Sequence, residues 1–350
     1  MNPVLPWHHS LWQQLSYCWQ QQRLAHALLL AGPPGMGKTL FAQRLANLLL
    51  CEQSSRNSGN SAVQVNWQPC ERCQACHLFQ VGSHPDWLLL QPSSADKLIT
   101  VERVRELIQF CSLTTYYGRY RIVLISPAEQ MNHYAANSLL KLLEEPPPQT
   151  LFILISHQPQ QLLITLRSRC QLLDFSRPQQ HLTQTWLQQR LATSQLTVNQ
   201  ADITLLLKLS AYAPLAALAL VETGAMTQRN ALFDSLIQLA TQQIDPIKVV
   251  TQWSRWEAKQ ILPWLLSWTM DIIRCALTGQ TQYLLNQDYQ TNLVLFSQQV
   301  DEKNLFSFLD QQTEVYHLIR TNTSVKTTGL LESIAIAWVN LTNFPRRSSV

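Results

Sequence analysis

The sequence predicts an α/β domain built on a parallel sheet, followed by a wholly helical second half. Two observations predict this. A short apolar strand runs straight into Gly32-Pro33-Pro34-Gly35-Met36-Gly37-Lys38-Thr39 and on into a helical stretch, and apolar strands then alternate with helices to about residue 175. Beyond that point the apolar spacing is helical throughout.

Residues 27–31, Ala-Leu-Leu-Leu-Ala, have the composition of a buried strand. Residues 39–50 follow as a helix with Phe41, Leu45 and Leu48-Leu49 on one face. The stretch 52–69, rich in Ser, Asn, Gly and Gln, reads as an exposed loop. Residues 87–91 form a second strand. Residues 100–111 form an amphipathic helix bearing Val101, Val104, Leu107 and Ile108, with Thr100 as its N-cap. A third strand spans 121–125, and a helix over 135–143 is stopped by Pro146-Pro147-Pro148. Residues 151–155 and 170–175 supply the fourth and fifth strands. Short helices are expected over 176–225. Over 226–350 the helical spacing is clear at Ile261, Leu265, Trp268 and Ile272, and again at Leu331, Ile334, Trp338 and Leu341. Trp253, Trp256, Trp264, Trp268 and Trp338 read mainly as core, with a subunit interface as the other use for such residues.

The glycine loop fits G-x-x-x-x-G-K-[ST], and strand, loop and helix in that order are the context such a loop requires. Its backbone N–H groups cradle phosphates, Lys38 reaches the β/γ oxygens and Thr39 ligates Mg²⁺. Gly32, Gly35, Gly37, Lys38 and Thr39 are therefore the candidate residues for ATP or ADP with Mg²⁺; the rival is a vestigial loop kept for its turn. The natural partner strand, 121–125, ends in Ser126-Pro127, where two acids normally hold metal and polarise water. Glu129 is the nearest acid, but it lies three residues past Ser126 and is expected to sit too far beyond the strand end to replace them.

Cys51, Cys70, Cys73 and Cys76 lie as C-x₁₈-C-x₂-C-x₂-C. Four thiolates suit tetrahedral Zn²⁺ and leave no position for water, so the expected site is structural. An iron–sulfur cluster or free thiols are the alternatives, and His77 and His84 are available as substitute ligands. Cys18, Cys111, Cys170 and Cys275 are isolated and read as small core residues.

With 46% hydrophobic and 14% charged residues the chain is expected to be folded and soluble, in two or three domains across 350 residues. A net charge of +4 permits nucleic-acid contact without arguing for it. No apolar stretch reaches membrane-span length: 203–220 is broken by Lys208 and Pro214. The N-terminal residues have neither the basic start nor the apolar centre of a signal peptide, so a cytoplasmic location and reduced cysteines are expected. Arg103, Arg105, Arg119 and Arg121 are available to phosphate, although a solvated face is the simpler reading.

Four segments together resemble the AAA+ clamp-loader family of bacterial DNA polymerase III. They are the phosphate loop, the cysteines inserted after its helix, Asn137-Ser138-Leu139-Leu140-Lys141-Leu142-Leu143-Glu144-Glu145-Pro146-Pro147, and Leu166-Arg167-Ser168-Arg169-Cys170. The likeness covers the first 170 residues well. The second half matches in helical character and length alone. Ser126-Pro127 and Leu209-Ser210-Ala211-Tyr212-Ala213-Pro214 direct it to the delta prime branch, away from the ATP-hydrolysing gamma/tau type.

The resemblance implies an AAA+ P-loop domain over 1–175 with a zinc module at 51–76, a small helical lid over 176–225, and an all-α collar over 226–350. It implies a hetero-oligomer with gamma/tau and delta subunits that acts on a sliding clamp and primed DNA in replication. Arg169 would be an arginine finger inserted into a neighbour's ATP site. Ser156-His157 fall at the sensor-1 position and Leu215 at the sensor-2 arginine, so hydrolysis by this chain is expected to be slow or absent. Catalysis belongs to the polymerase holoenzyme, and no residue suggests nucleotidyl transfer by this chain. An active gamma/tau-type ATPase and a stand-alone zinc-dependent DNA-binding module are the rivals. The first predicts ATP turnover and the second tight DNA binding, each by the isolated chain.

Overall fold

A computed structural model describes residues 4–54, 67–94, 97–117, 119–176, 178–193, 200–321 and 326–342. Most of the loop expected over 52–69 therefore lies outside the described residues. The chain divides into two compact units, residues 1–196 with 210–216, and residues 197–209 with 217–350.

The first unit carries, in order, α1 (His9–Gln20), β1 (Ala27–Ala31), α2 (Lys38–Leu50), α3 (Gln74–Gln80), β2 (Trp87–Leu90), α4 (Val101–Ser112) and β3 (Arg121–Ile125). It continues with α5 (His133–Glu144), β4 (Thr150–Ser156), α6 (Ile164–Arg167), β5 (Gln171–Asp174) and α7 (Gln180–Thr193). The five strands form one sheet in the order β2-β3-β4-β1-β5, every pair parallel. Strands β1, β3 and β4 are buried along their whole length, whereas the edge strands β2 and β5 are partly exposed. That burial explains their unbroken apolar composition, since helices cover both faces.

The period-2 alternation sorts the side chains into two layers. Leu28, Leu30, Ile122, Leu124, Leu151 and Ile153 join Phe41, Leu45 and Leu48 of α2. Leu29, Val123, Ile125, Phe152 and Leu154 join Val104 and Leu107 of α4 and Leu139 of α5. Leu29 stands level with Leu154 on one side and Leu172 on the other, which puts the ends of β1 and β4 side by side. Three helices in this unit were not anticipated from sequence. Two are α3 and the short α6; the third is α1, whose Trp12, Leu15 and Trp19 are buried against the α2 layer.

Arg121 is not available to phosphate, because it is buried. It donates to the carbonyls of Cys111, Leu113 and Thr114 and lies 3.4 Å from Asp86. The Asp86 carboxylate in turn accepts the N–H groups of Tyr116 and Tyr117, fixing the turn before β3. Arg103 pairs with Glu106 at 2.7 Å on the exposed face of α4.

The second unit is helical among its described residues. It includes α8 (Gln200–Leu209), residues 217–222 of α9 (Pro214–Glu222), α10 (Ala225–Ala240), α11 (Pro246–Trp253), α12 (Ala258–Thr278), α13 (Gln290–Ser297), α14 (Glu302–Thr321) and α15 (Thr327–Leu341). Its core gathers Phe233, Trp253, Trp264, Trp268, Phe296 and Trp338, so these tryptophans are core residues. The indole N–H of Trp253 meets Ser235 Oγ at 2.9 Å and that of Trp338 meets the Leu236 carbonyl at 2.9 Å. Arg229 is fully buried: it forks onto Asp288 (2.5 and 3.1 Å) and Asn286 (2.7 Å) and stacks on Tyr289 at 4.7 Å. Among the described residues no single helix is long and apolar enough to cross a membrane.

Candidate functional site

The phosphate loop leaves the buried end of β1 and enters α2 at Lys38. The turn needs glycine for two reasons. Gly35 and Gly37 have φ near +80° and +83°, and other segments close over both. A Cβ on Gly35 would lie 2.5 Å from Ala216 Cβ; one on Gly37 would lie 2.6 Å from Leu5 and 2.9 Å from His8. Around the loop, the carbonyls are spoken for. Met36 O accepts the indole N–H of Trp7 at 3.1 Å and Nε2–H of His8 at 2.7 Å, while Gly35 O accepts the Leu215 N–H at 3.1 Å. Burial holds the His8 pKa down to about 4, so its ring is neutral and donates. The first helical bond is Phe41 N–H to Gly37 O at 3.0 Å. The amides before it therefore have no intrahelical acceptor, which is the usual property of an anion-binding helix start.

Lys38 is buried, and its ammonium donates to the carbonyls of Gly32 (2.5 Å) and Pro33 (2.7 Å). Desolvation pulls its pKa down to about 8, with the Glu129 charge opposing the shift. Thr39 is exposed at the start of α2.

The end of β3 carries Ser126-Pro127, as the sequence requires. The expectation for Glu129 needs correcting. A short 3-10 turn over Ala128–Gln130, anchored by buried Ala128, folds it back, and Glu129 Oε1 accepts the His157 N–H at 2.9 Å. His157 follows Ser156, whose carbonyl accepts the Gly32 N–H at 3.3 Å. The acid thus arrives beside the phosphate loop by turning back, which counting residues along the strand direction does not reveal. Burial, with the Lys38 charge adding to it, holds the His157 imidazole below its usual range.

The four cysteines converge: their Sγ atoms all lie within 4.8 Å of one another. Cys51 caps the end of α2, Cys73 is the N-cap of α3, and Cys76 is in its first turn. Sγ···Sγ is 3.9 Å for Cys70–Cys76 and 4.0 Å for Cys51–Cys73. A tetrahedron with metal–sulfur bonds of about 2.3 Å has edges of about 3.8 Å, whereas a disulfide needs about 2.05 Å. Backbone N–H groups of Cys70, Cys73 and Cys76 each point at a cluster sulfur at 3.4 Å. Such donors stabilise thiolate charge, so the donor set suits a thiolate-bound metal. His84 is not among the clustered ligand atoms, and its Nδ1 accepts the Asp86 N–H at 3.0 Å. Arg119 braces the cluster through the carbonyls of Glu52 and Ser54, at 2.5 and 2.8 Å.

The N-terminal segment links both centres, a role that sequence reasoning missed. Trp7 and His8 hold the phosphate loop, while Trp12 donates to the Trp67 carbonyl at 3.3 Å and packs on its ring at 4.9 Å. Trp19 also stacks on Trp67, at 5.9 Å. The only sequence signal was the Trp12, Leu15, Trp19 spacing of α1.

Arg169 follows α6 and leads into β5. Its guanidinium donates to Glu144 Oε1 at 2.6 Å and to the Thr165 carbonyl at 3.0 Å. Both charged side chains stay substantially exposed, 34% for Arg169 and 51% for Glu144, so the pair orients the arginine without sequestering it. Glu144, to which the sequence assigned no chemistry, is thus its partner at the end of α5.

A family model described as "DNA polymerase III, delta subunit" matches residues 7–179, and one described as "DNA polymerase III, delta subunit, C terminal" matches 223–340. DNA polymerase III subunit delta' of Pseudomonas aeruginosa is 32% identical over 97% of this chain and 99% of its own length. The delta' subunit of Escherichia coli is 32% identical over 77% of this chain and 76% of its own. Among solved structures, a DNA polymerase III gamma subunit-related protein of Thermotoga maritima aligns with a TM-score of 0.41 at 15% identity, covering 95% and 99% of the two chains.

Proposed function

The chain belongs to the delta' family of DNA polymerase III subunits, and from that premise we propose a clamp-loader subunit that completes a neighbour's ATP site while turning over little or no ATP itself. The observation that carries this is the pairing of an exposed, oriented Arg169 with a β3 end that offers Ser126-Pro127 instead of two acids. Neither serine nor proline supplies the carboxylates that hold Mg²⁺ and polarise water in phosphoryl transfer.

Arg169 acts in trans, its guanidinium neutralising charge that develops on the neighbour's transferring phosphoryl group. Glu144 keeps it extended until that anion replaces the carboxylate. Gly32, Gly35, Gly37, Lys38 and Thr39 hold ATP or ADP. Cys51, Cys70, Cys73 and Cys76 hold Zn²⁺, which staples the end of α2 to the start of α3. Residues 176–225 serve as a lid and 226–350 as a collar, with gamma/tau and delta subunits as partners, in the cytoplasm. The sliding clamp and primed DNA are reached through that assembly.

The test is reconstitution with candidate gamma/tau and delta subunits, reading assembly by gel filtration and DNA-stimulated ATPase. Arg169→Ala is expected to assemble normally and to silence the one site it serves, since such fingers are worth about 10³–10⁵ in rate. Wild-type ATPase from the Arg169→Ala assembly would refute the role. The intact Gly37-Lys38-Thr39 favours one alternative, a gamma/tau-type ATPase, which requires steady ATP turnover by the isolated chain.

A further inference from the structure

We infer that Glu129 supplies the acidic group of this phosphate loop, accepting hydrogen bonds from the water shell of a Mg²⁺ ion carried on the terminal phosphates of the nucleotide. The inference rests on the reading that the loop binds ATP or ADP.

The backbone around Glu129 is fixed from both sides. Before it, Ala128 is buried under the α5 layer. After it, Ile99 N–H donates to the Gln130 carbonyl at 2.8 Å and Asn132 N–H to the Ile99 carbonyl at 3.0 Å. The side chain is fixed as well, because Oε1 accepts the His157 N–H at 2.9 Å. Its other oxygen, Oε2, is shielded from solvent and has no protein partner, and so does Nδ1 of the adjacent His157. A shielded carboxylate oxygen without a partner costs stability, so it needs a reason.

The position supplies one. His157 follows Ser156, Ser156 O binds Gly32 N–H, and Gly32 O binds the Lys38 ammonium. The acid, the imidazole and the ammonium therefore lie together near the ends of β1 and β4, close enough for their charges to act on one another. The field of Glu129 acts on Lys38 directly, raising its proton affinity against desolvation. Mg²⁺ gives up its waters reluctantly and is normally held by one or two carboxylates plus substrate phosphates. One carboxylate with a pinned oxygen and a free one meets that need through water. It does so without a second acid to activate a nucleophile, so the site can bind the metal–nucleotide complex and still turn over little.

The experiment compares wild-type, Glu129→Gln and Lys38→Ala full-length proteins. ATP and ADP are titrated calorimetrically with Mg²⁺ and with EDTA, and Mn²⁺ is then substituted so that paramagnetic water relaxation reports the bound metal. Glutamine keeps an acceptor for the His157 N–H and removes the charge. Wild-type affinity is expected to rise with Mg²⁺. In Glu129→Gln that gain and the Mn²⁺ relaxation signal are expected to vanish, while metal-free affinity holds or rises because a negative charge beside the phosphates is gone. A merely structural Glu129 would lower both affinities together. An unchanged Mg²⁺ gain in Glu129→Gln overturns the inference and leaves nucleotide binding standing. Absence of binding by the wild type, equal to Lys38→Ala, overturns both.

Discussion

Raising the pH should weaken nucleotide binding in a way set by one residue. In the free protein, desolvation holds the Lys38 pKa at about 8, with Glu129 opposing and His157 nearby as a neutral ring. Phosphate oxygens beside the ammonium favour its charged form, so the complex holds the proton to higher pH than the free chain. Binding then takes up a proton, and affinity must fall as pH rises through 8. At pH 9.5 only about 3% of Lys38 is charged in the free protein, so the dissociation constant should be about 30-fold weaker than at neutral pH, or about 2 kcal/mol. Calorimetry in two buffers of different ionisation enthalpy measures the proton uptake as well as the affinity. Lys38→Arg, charged throughout, should flatten the profile. Nucleotide binding with constant affinity between pH 7 and 9.5 would refute the reasoning. Folding follows the same group with its own sign. The folded chain binds fewer protons than the unfolded one between about pH 8 and 10.5, so the Lys38 contribution to stability improves as pH rises through that window.

Two further outcomes are expected. Chelation, or Cys73→Ser, should release one equivalent of zinc to a chromogenic indicator and red-shift the emission of the Trp12, Trp19 and Trp67 stack, with metal affinity falling in acid as thiolates protonate. Protein grown with zinc that contains no metal by elemental analysis would count against this. In the helical unit, Arg229→Ala strands Asp288 and Asn286 and removes the stack on Tyr289; it should cost about 3–5 kcal/mol in urea unfolding. The lower end is expected because Asp288 is 27% exposed, and a wild-type midpoint would show the network to be dispensable.

Much of the first unit was legible because its signals are local. The loop motif, the apolar strands and the C-x₂-C spacing each sit within a few residues, and the structure brings the four cysteines together as that spacing implies. Helix α1 was missed although Trp12, Leu15 and Trp19 have helical spacing, because Pro3 and Pro6 and the neighbouring glutamines gave the segment a loop-like composition. The partners of the candidate site were hidden for another reason. Trp7 and His8 reach Met36 across 29 and 28 residues, Glu144 reaches Arg169 across 25, and Glu129 reaches His157 across 28. Nothing in the local composition distinguishes those residues from solvated neighbours. The reversal at Glu129 depends on a turn pinned by Ile99, a contact that no linear count of residues past β3 could supply.

The division of the chain has a consequence for how the molecule can be taken apart. Between residues 196 and 217 the polypeptide passes from one unit to the other three times, because 197–209 belong with the helical unit and 210–216 with the sheet. The unit that holds the sheet is therefore not a contiguous fragment. Scission near residue 196 would release a piece lacking the Leu215 amide that binds Gly35 and the Ala213 methyl buried beside the loop layer. A single cut keeps the first unit whole only beyond residue 216, and the piece it releases then carries 197–209, which belong with the helical unit. The loop is completed only by chain that must first leave the sheet and return to it.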